Sequence, residues 1–323
     1  MILNLQFLRA FAALNVVLFH IIGTAPSYGY STDIMKIFQD WGANGVDLFF
    51  VISGFIMLYI QFERKLTITA FIKSRIIRIV PIYWFLTILV IIMNLIFPSL
   101  FRSIHLSPEW TFASLGFVSS FVLEKNPIVH VGWTLEWEML FYLVFGLSLG
   151  FRRWMYSVSV TVATLLLLGV LISNFILVEF IAGMFIALVI KKFGIGTGVY
   201  GRTSLLAGFF LLLLSINIEI RNIIESRVII WGVPSALIVY GAISTAQVKS
   251  ELGKLLGDAS YSIYLIQFFS IPLFYKLLIY FDIRLNSDFL SLLCLFTTVI
   301  GGTLLYFVVE KPLIQFFRCK MIT

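Results

Sequence analysis

The sequence predicts an all-α fold: a polytopic transmembrane bundle of about ten spans with both termini in the cytoplasm, formed by one membrane domain over residues 1–323. Two observations predict it. The chain is 60% hydrophobic and 12% charged, with a mean hydropathy of +1.03, whereas average soluble domains carry about 25% charged residues. The apolar residues also fall into long runs separated by short loops. This composition suits a lipid bilayer rather than water.

Ten apolar runs come close to the roughly 20 residues that a helix needs to cross a hydrocarbon core of about 30 Å. They are 5–22, 44–61, 79–98, 133–150, 155–173, 175–190, 204–218, 228–246, 262–281 and 289–309. The run 111–123 is shorter. Its length is typical of an interfacial or re-entrant piece rather than of a span.

The basic residues determine the predicted orientation. With a cytoplasmic N-terminus and a non-crossing segment 111–123, sixteen of the 23 Lys and Arg residues lie in the cytoplasm and seven lie outside. A crossing at 111–123 would move Arg152, Arg153, Lys191 and Lys192 outside, against the positive-inside rule. Because the positive charge is spread over these loops, it argues for membrane orientation and against nucleic acid binding.

Arg9 and His20 place two ionisable side chains inside the first apolar run. Such residues are costly within a bilayer and mark proton, ion or substrate chemistry. They are eleven residues apart, so they lie within roughly 20° of one helix face and roughly 16 Å apart along the axis. One face of this helix therefore carries a fixed cation toward the cytoplasm and a titratable base in the outer third of the membrane.

The same orientation predicts the depth of the other ionisable residues. The second and fourth spans enter the membrane from outside, so acids at their beginnings lie near the depth of His20. The loop before the third span lies on the inner side. We therefore predict a basic inner group, Arg9, Arg75 and Arg78, and an outer group of one histidine and three carboxylates, His20, Asp47, Glu136 and Glu138.

The second span opens with Gly45–Phe55, GVDLFFVISGF, which combines an acid with small residues. Ser53 and Gly54 allow another helix to approach closely. Asp47 has two candidate roles, since it can accept a hydrogen bond from an imidazole or bind the hydroxyl groups of an acceptor. The alternative is a packing face on which Asp47 is merely interfacial.

Arg75 and Arg78 lie three residues apart and share a helix face. Planar guanidinium groups suit phosphate recognition. The alternative is an ordinary basic loop on the cytoplasmic side.

The fourth span begins with Trp133–Tyr142, WTLEWEMLFY. Aromatic residues are expected at a membrane interface, but two carboxylates that lead into a span are not. Glu136 and Glu138 are candidates for binding a polyhydroxylated acceptor, and Glu138 shares a face with Tyr142. The alternative is a structural ion pair with an arginine elsewhere in the chain.

His20 is a packing residue, a metal ligand or a base. His105 and His130 are the remaining histidines, and they form no metal-ligand spacing with it. The two cysteines, Cys294 and Cys319, indicate neither a disulfide framework nor a metal site. An imidazole can take a proton from a hydroxyl group at neutral pH, so the metal interpretation is the weakest and we predict no metal.

Together these motifs resemble the acyltransferase-3 family of integral membrane acyltransferases, most closely its exopolysaccharide O-acetyltransferase branch. The matching segments run nearly end to end: Leu5–His20, Gly45–Phe55, Arg75–Tyr83, Trp133–Tyr142, Glu179–Met184, Leu256–Leu265 and Glu310–Pro312. Each motif is weak alone, and their order and spacing make the resemblance specific.

The resemblance implies acetyl-CoA as the cytoplasmic donor, a sugar hydroxyl as the acceptor, and an essential His20 supported by the three arginines. Gln267 stands where many relatives place a histidine, so we do not expect a base there. The chain ends at Thr323 without the extracytoplasmic hydrolase-like domain that some relatives carry. We therefore expect transfer within the membrane domain or with a separate partner.

The predicted function is a membrane O-acyltransferase that moves an acetyl group from acetyl-CoA to a cell-surface or exported polysaccharide, or to its lipid-linked precursor. The predicted location is the bacterial inner membrane. His20 acts as a base or as a covalent carrier of the acetyl group. The predicted site residues are His20, Asp47 and Glu138 for catalysis, Arg9, Arg75 and Arg78 for the donor, and Ser53, Trp133, Glu136 and Tyr142 for the acceptor.

Two other functions remain open at this point. A transporter or flippase for a glycan or lipid-linked sugar shares the span count and the buried charges, but it is expected to show internal repeats, and we find none. An acyltransferase that uses another donor, such as succinyl-CoA, fits the same residues.

Overall fold

The computed structural model describes residues 2–98, 105–151, 153–196, 198–217 and 227–319. Four basic residues that were counted for orientation, Arg102, Arg152, Arg221 and Lys320, lie outside these ranges, as does the last residue of the predicted span 204–218.

The described residues form helices and no strand, which confirms the all-α prediction. The α-helices are α1 (Leu3–Thr24), α2 (Asn44–Arg64), α3 (Ile68–Ile96), α4 (Pro108–Leu115), α5 (Ser119–Val122), α6 (Trp133–Ser148), α7 (Trp154–Leu171), α8 (Leu177–Phe193), α9 (Val199–Leu214), α10 (Val233–Ile243), α11 (Glu251–Tyr280), α12 (Ser287–Leu305) and α13 (Lys311–Cys319). Turns of π-helix, Val228–Gly232 and Tyr306–Glu310, lead into α10 and α13.

Six helical segments are long and apolar enough to cross a membrane: Leu3–Tyr28, Met35–Arg64, Ile68–Ile96, Trp154–Leu171, Glu251–Tyr280 and Ser287–Cys319. The protein is therefore an integral membrane protein. The other predicted spans also fall on helices, but α6, α8 and α9 have only 16 or 17 residues. Such helices rise about 24–26 Å, slightly less than the hydrocarbon core. The count of ten spans and the location of the termini stay predictions.

The segment 111–123 does not form one helix. It contains the end of α4, which has eight residues, and the four residues of α5. Phe117 lies between them in the left-handed region, at φ 59°, and breaks the helical path. Eight residues of helix rise only about 12 Å, so neither piece crosses a bilayer.

Small residues bring α2 and α8 into direct backbone contact. A Cβ atom at Gly54 would lie 2.0 Å from the carbonyl oxygen of Phe180, and one at Gly183 would lie 2.0 Å from that of Val51. Gly54 thus does what its place in the GVDLFFVISGF motif predicts, since small residues allow close helix packing in membranes. α1 packs between α2 and α11. This arrangement surrounds the interior of the bundle with α1, α2, α3, α6 and α11.

Candidate active site

A cavity of about 230 Å³ lies between α1, α2, α3, α6 and α11. Ligand pockets for drug-sized molecules measure about 300–1,000 Å³, so this cavity accommodates a small molecule or one portion of a large one. Its polar lining consists of Arg9, Ser53, Arg75, Arg78, Thr134, Glu138, Ser260, Tyr261 and Tyr264, together with Tyr142.

Six of the ten predicted site residues line this one cavity. They come from four different helices, and the structure brings them together: Arg9, Ser53, Arg75, Arg78, Glu138 and Tyr142.

Few of the hydrogen-bond donors of the three arginines are used by the described residues. Arg9 Nη1 donates to Gln6 Oε1 at 3.3 Å, and Arg75 Nε donates to Ser74 Oγ at 3.1 Å. Arg78 donates to no described residue, and neither salt bridge among the described residues involves any of the three. A guanidinium carries five N–H donors. Three cations with free donors around one cavity favour an anionic ligand.

Glu138 is held by two hydroxyl groups of the cavity wall. Ser53 Oγ donates to Glu138 Oε1 at 2.8 Å, and the Tyr142 hydroxyl donates to the same oxygen. The Tyr142 ring also lies 5.9 Å from the Arg75 guanidinium carbon, within cation–π range. The predicted common face of Glu138 and Tyr142 is confirmed by this hydrogen bond.

Glu138 reaches deeper than the predicted outer group. It shares a cavity with the arginines that were expected in the inner group. The reason is its place in α6, five residues after the first residue, Trp133. Five residues of helix rise about 7.5 Å, which brings the Glu138 side chain from the beginning of α6 to the level of the arginines in the cavity.

His20 lies outside the lining of the cavity, half-buried on α1. Its ring contacts Phe19, with centroids 4.9 Å apart, and His130, with centroids 5.3 Å apart. Sequence reasoning set His130 aside because it forms no metal-ligand spacing. No sequence signal reports that its turn, His130–Gly132, folds against α1.

A hydrogen bond links the cavity to the turn that holds His130. Thr134 and Tyr264 line the cavity, and the Tyr264 hydroxyl donates to the carbonyl oxygen of Val131 at 2.6 Å. The histidine pair therefore lies next to the end of the cavity that Thr134 and Tyr264 form.

Asp47 engages an arginine rather than His20. Its carboxylate is fully buried and accepts hydrogen bonds from Arg227 Nε at 3.0 Å and Arg227 Nη2 at 2.8 Å. Arg227 Nη2 also donates to the carbonyl oxygen of Ala43 at 3.2 Å. Glu179, which is 1% exposed, lies close enough to interact electrostatically with both groups. The arrangement fixes the N-terminal end of α2.

Glu136 and Trp133 also lie outside the cavity. Both oxygens of the buried Glu136 accept backbone N–H groups, from Ser119 and Ser120, each at 2.8 Å. These donors belong to the first residues of α5, where free N–H groups need an acceptor. Trp133 is half-buried at the beginning of α6. Glu136 thus holds a neighbouring segment in place.

Among the described residues, no three side chains of His, Cys, Asp or Glu are grouped as a metal site requires. The polar chemistry of the site rests on guanidinium, carboxylate, hydroxyl and imidazole groups.

Three guanidinium groups and a fixed carboxylate line an interior cavity of a helical membrane protein. The chain belongs to the acyltransferase-3 family, whose acyltransferase domain matches residues 2–308. It is therefore an acyltransferase.

Two curated relatives are similar to the chain. The exopolysaccharide production protein ExoZ of Rhizobium meliloti is 33% identical over 310 residues, which cover 87% of this chain and 92% of that protein. The O-acetyltransferase OatA of Staphylococcus aureus is 28% identical over 197 residues, which cover 56% of this chain and 30% of that protein. No solved structure matches the chain.

Proposed function

We propose that the protein transfers an acetyl group from cytoplasmic acetyl-CoA to a hydroxyl group of a cell-surface or exported polysaccharide, or of its lipid-linked precursor. We place it in the cytoplasmic membrane of a bacterium, with about ten spans and cytoplasmic termini. The observation that carries the proposal is the cavity in which Arg9, Arg75 and Arg78 keep free donors beside Glu138. The relatives named for exopolysaccharide production and O-acetyl transfer support the acceptor class.

The arginines bind the donor. Guanidinium groups pair with phosphate oxygens through strong, charge-assisted hydrogen bonds, and coenzyme A carries phosphate groups at one end and the thioester at the other. The cavity is small for a whole coenzyme A, so it holds the part of the donor that reaches into the bundle. The phosphates bind on the cytoplasmic side of the arginines.

His20 performs the chemistry at the other end of the α1 face. It removes the proton from the acceptor hydroxyl, whose oxygen attacks the thioester carbon as the carbon–sulfur bond breaks. Alternatively, its ring nitrogen first takes the acetyl group and then gives it to the hydroxyl. Both routes need the thioester to pass the Thr134 and Tyr264 end of the cavity, and the family resemblance supports His20 in either role.

Glu138 and Asp47 support this step in different ways. Glu138 has a second oxygen, Oε2, that accepts no hydrogen bond from the described residues, and together with Ser53 and Tyr142 it binds a further hydroxyl group of the acceptor, beside the one that reacts at His20. Asp47 acts as a positioning residue, since it holds Arg227 at the outer end of α2. Glu136 and Trp133 shape the outer entrance for the glycan through the segment 119–133.

Radiolabelled acetyl-CoA supplied to inside-out membrane vesicles tests the proposal. Label in a polysaccharide or lipid-linked glycan, dependent on this protein, is the expected result. A parallel reaction with labelled succinyl-CoA tests which donor the protein uses. If label enters the glycan from succinyl-CoA and not from acetyl-CoA, the donor is succinyl-CoA rather than acetyl-CoA. Absence of label from every acyl-CoA, in vesicles that carry the folded protein, overturns the proposal and favours transport of the glycan.

A further inference from the structure

The turn before α6 places a second histidine against His20. The ring centroids of His20 and His130 lie 5.3 Å apart, and the ring planes meet at 69°. Phe268 of α11 contacts the His130 ring, with centroids 5.4 Å apart. The two imidazoles therefore form a pair that aromatic neighbours hold together.

The backbone around His130 is fixed by packing and hydrogen bonds. Val129 and Val131 are fully buried, and Gly132 N–H donates to the carbonyl oxygen of Val129 at 2.8 Å. Gly132 packs against Tyr83, where an added Cβ would lie 2.7 Å from a ring carbon. The position of His130 thus follows from a rigid turn.

The acids that were expected near His20 have partners elsewhere. Asp47 binds Arg227, Glu136 accepts the N–H groups of α5, and Glu138 accepts two hydroxyl groups of the cavity wall. Within the described part of the chain, His130 is the titratable side chain in ring contact with His20. His130 is therefore the imidazole placed to exchange a proton with His20.

The two histidines of the pair differ in their exposure to solvent. His20 is half-buried, whereas His130 keeps an accessible edge. The side chains around His130 partly desolvate its ring and lower its pKa, which favours release of a proton that the imidazole takes up. The pair therefore reaches from a half-buried position on α1 to the surface of the described structure.

We propose that His130 is a second base of the site, which takes from His20 the proton of the acceptor hydroxyl and releases it to water at the outer face. The inference rests on the proposed acyl transfer. The hydroxyl O–H bond and the thioester carbon–sulfur bond break, and the oxygen–acyl carbon bond forms. The thiolate leaves and takes a proton from cytoplasmic water, so one proton is released outside for each proton taken up inside.

Chemical rescue separates this role from a structural one. His130→Ala, His130→Gln and His20→Ala are compared with wild type in acetyl transfer, with imidazole added on the outer side. We expect His130→Ala to lower the rate about 100-fold or more without changing acyl-CoA binding. Imidazole should restore part of the His130→Ala rate, and His130→Gln should stay slow. The exposed His105, outside the pair, gives a control variant, His105→Ala, with an unchanged rate.

The outcomes keep the two proposals apart. An unimpaired His130→Ala beside an inactive His20→Ala overturns the role of His130 and leaves the proposed function standing. A fully active His130→Gln, or a slow His130→Ala that imidazole does not restore, shows that His130 only shapes the site, and this also overturns proton transfer. A fully active His20→Ala contradicts the proposed catalysis itself.

Discussion

Arg227 and Asp47 form a two-point ion pair at the N-terminal end of α2, with nitrogen–oxygen distances of 3.0 and 2.8 Å. The Asp47 side chain is fully buried and that of Arg227 is 19% exposed. The pair joins α2 to the segment before α10, 180 residues later. Removal of Arg227 alone would therefore leave a buried carboxylate without a compensating charge.

Arg227→Gln should lower the free energy of unfolding by about 3–5 kcal/mol, because it leaves the buried Asp47 carboxylate without its cation. Adding Asp47→Asn to this variant should recover part of the loss, since the charge then disappears. Unfolding of the detergent-solubilised protein measures both effects. Arg284→Gln is the matched control. It breaks a pair of 2.9 Å whose side chains are 85% and 80% exposed, and exposed pairs contribute about 0–1 kcal/mol. Equal losses for the two variants would refute the buried role of Arg227.

Arg78→Ala should weaken the binding of coenzyme A about 10- to 100-fold. A hydrogen bond to a charged group contributes about 1.5–3 kcal/mol, and every 1.4 kcal/mol is tenfold in affinity. Equilibrium binding to the purified protein measures the change. Lys73→Ala removes an exposed cation from the same helix, outside the cavity, and should leave the affinity unchanged. An Arg78→Ala variant that binds coenzyme A like wild type would remove the arginines from the donor site.

Ser53→Ala and Tyr142→Phe each remove one hydroxyl donor from Glu138 Oε1. Each should slow acetyl transfer about tenfold, since a net hydrogen bond to a charged group contributes about 1.5 kcal/mol or more. We expect the loss in kcat for the acceptor rather than in the affinity for coenzyme A. Tyr280→Phe, at an 80% exposed position of α11, is the control for the tyrosine change. Wild-type kinetics of the double variant Ser53→Ala/Tyr142→Phe would show that the orientation of Glu138 does not matter.

Gly54→Ala should destabilise the protein by about 1–3 kcal/mol, the usual cost of overpacking. The new Cβ atom would lie 2.0 Å from the carbonyl oxygen of Phe180, so α2 and α8 must separate. Gly301→Ala on α12 makes the same change where no atom lies within 4 Å, and it should cause no loss. Thermal unfolding in detergent compares them. A neutral Gly54→Ala would contradict the close contact of the two helices.

The helices could be predicted from the sequence because a lipid-embedded backbone must satisfy its hydrogen bonds within each segment. Spacing along a helix also placed Arg75 with Arg78 and Glu138 with Tyr142, and depth brought Arg9 to the same cavity. The sequence does not determine how each helix is rotated about its axis or which helices pack against it. The sequence therefore did not predict that Asp47 pairs with Arg227, which lies 180 residues later in the chain.

The contacts that the sequence did not predict are made by irregular segments. Glu136 was expected to bind an acceptor, but its partners are backbone N–H groups of α5, which only the folded loop brings near. His130 was considered only as a metal ligand, and a turn of three residues places its ring in contact with His20. Backbone groups and turns leave no periodic signal in a sequence.

The most direct measurement is acetyl transfer by wild-type and His20→Ala proteins reconstituted at equal density in liposomes, with labelled acetyl-CoA on the cytoplasmic side and glycan acceptor on the outer side. We predict label in the glycan for wild type and a loss of at least about 100-fold for His20→Ala, while coenzyme A binding through Arg9, Arg75 and Arg78 persists. Undiminished transfer by a correctly folded His20→Ala protein would contradict catalysis at His20 by either route.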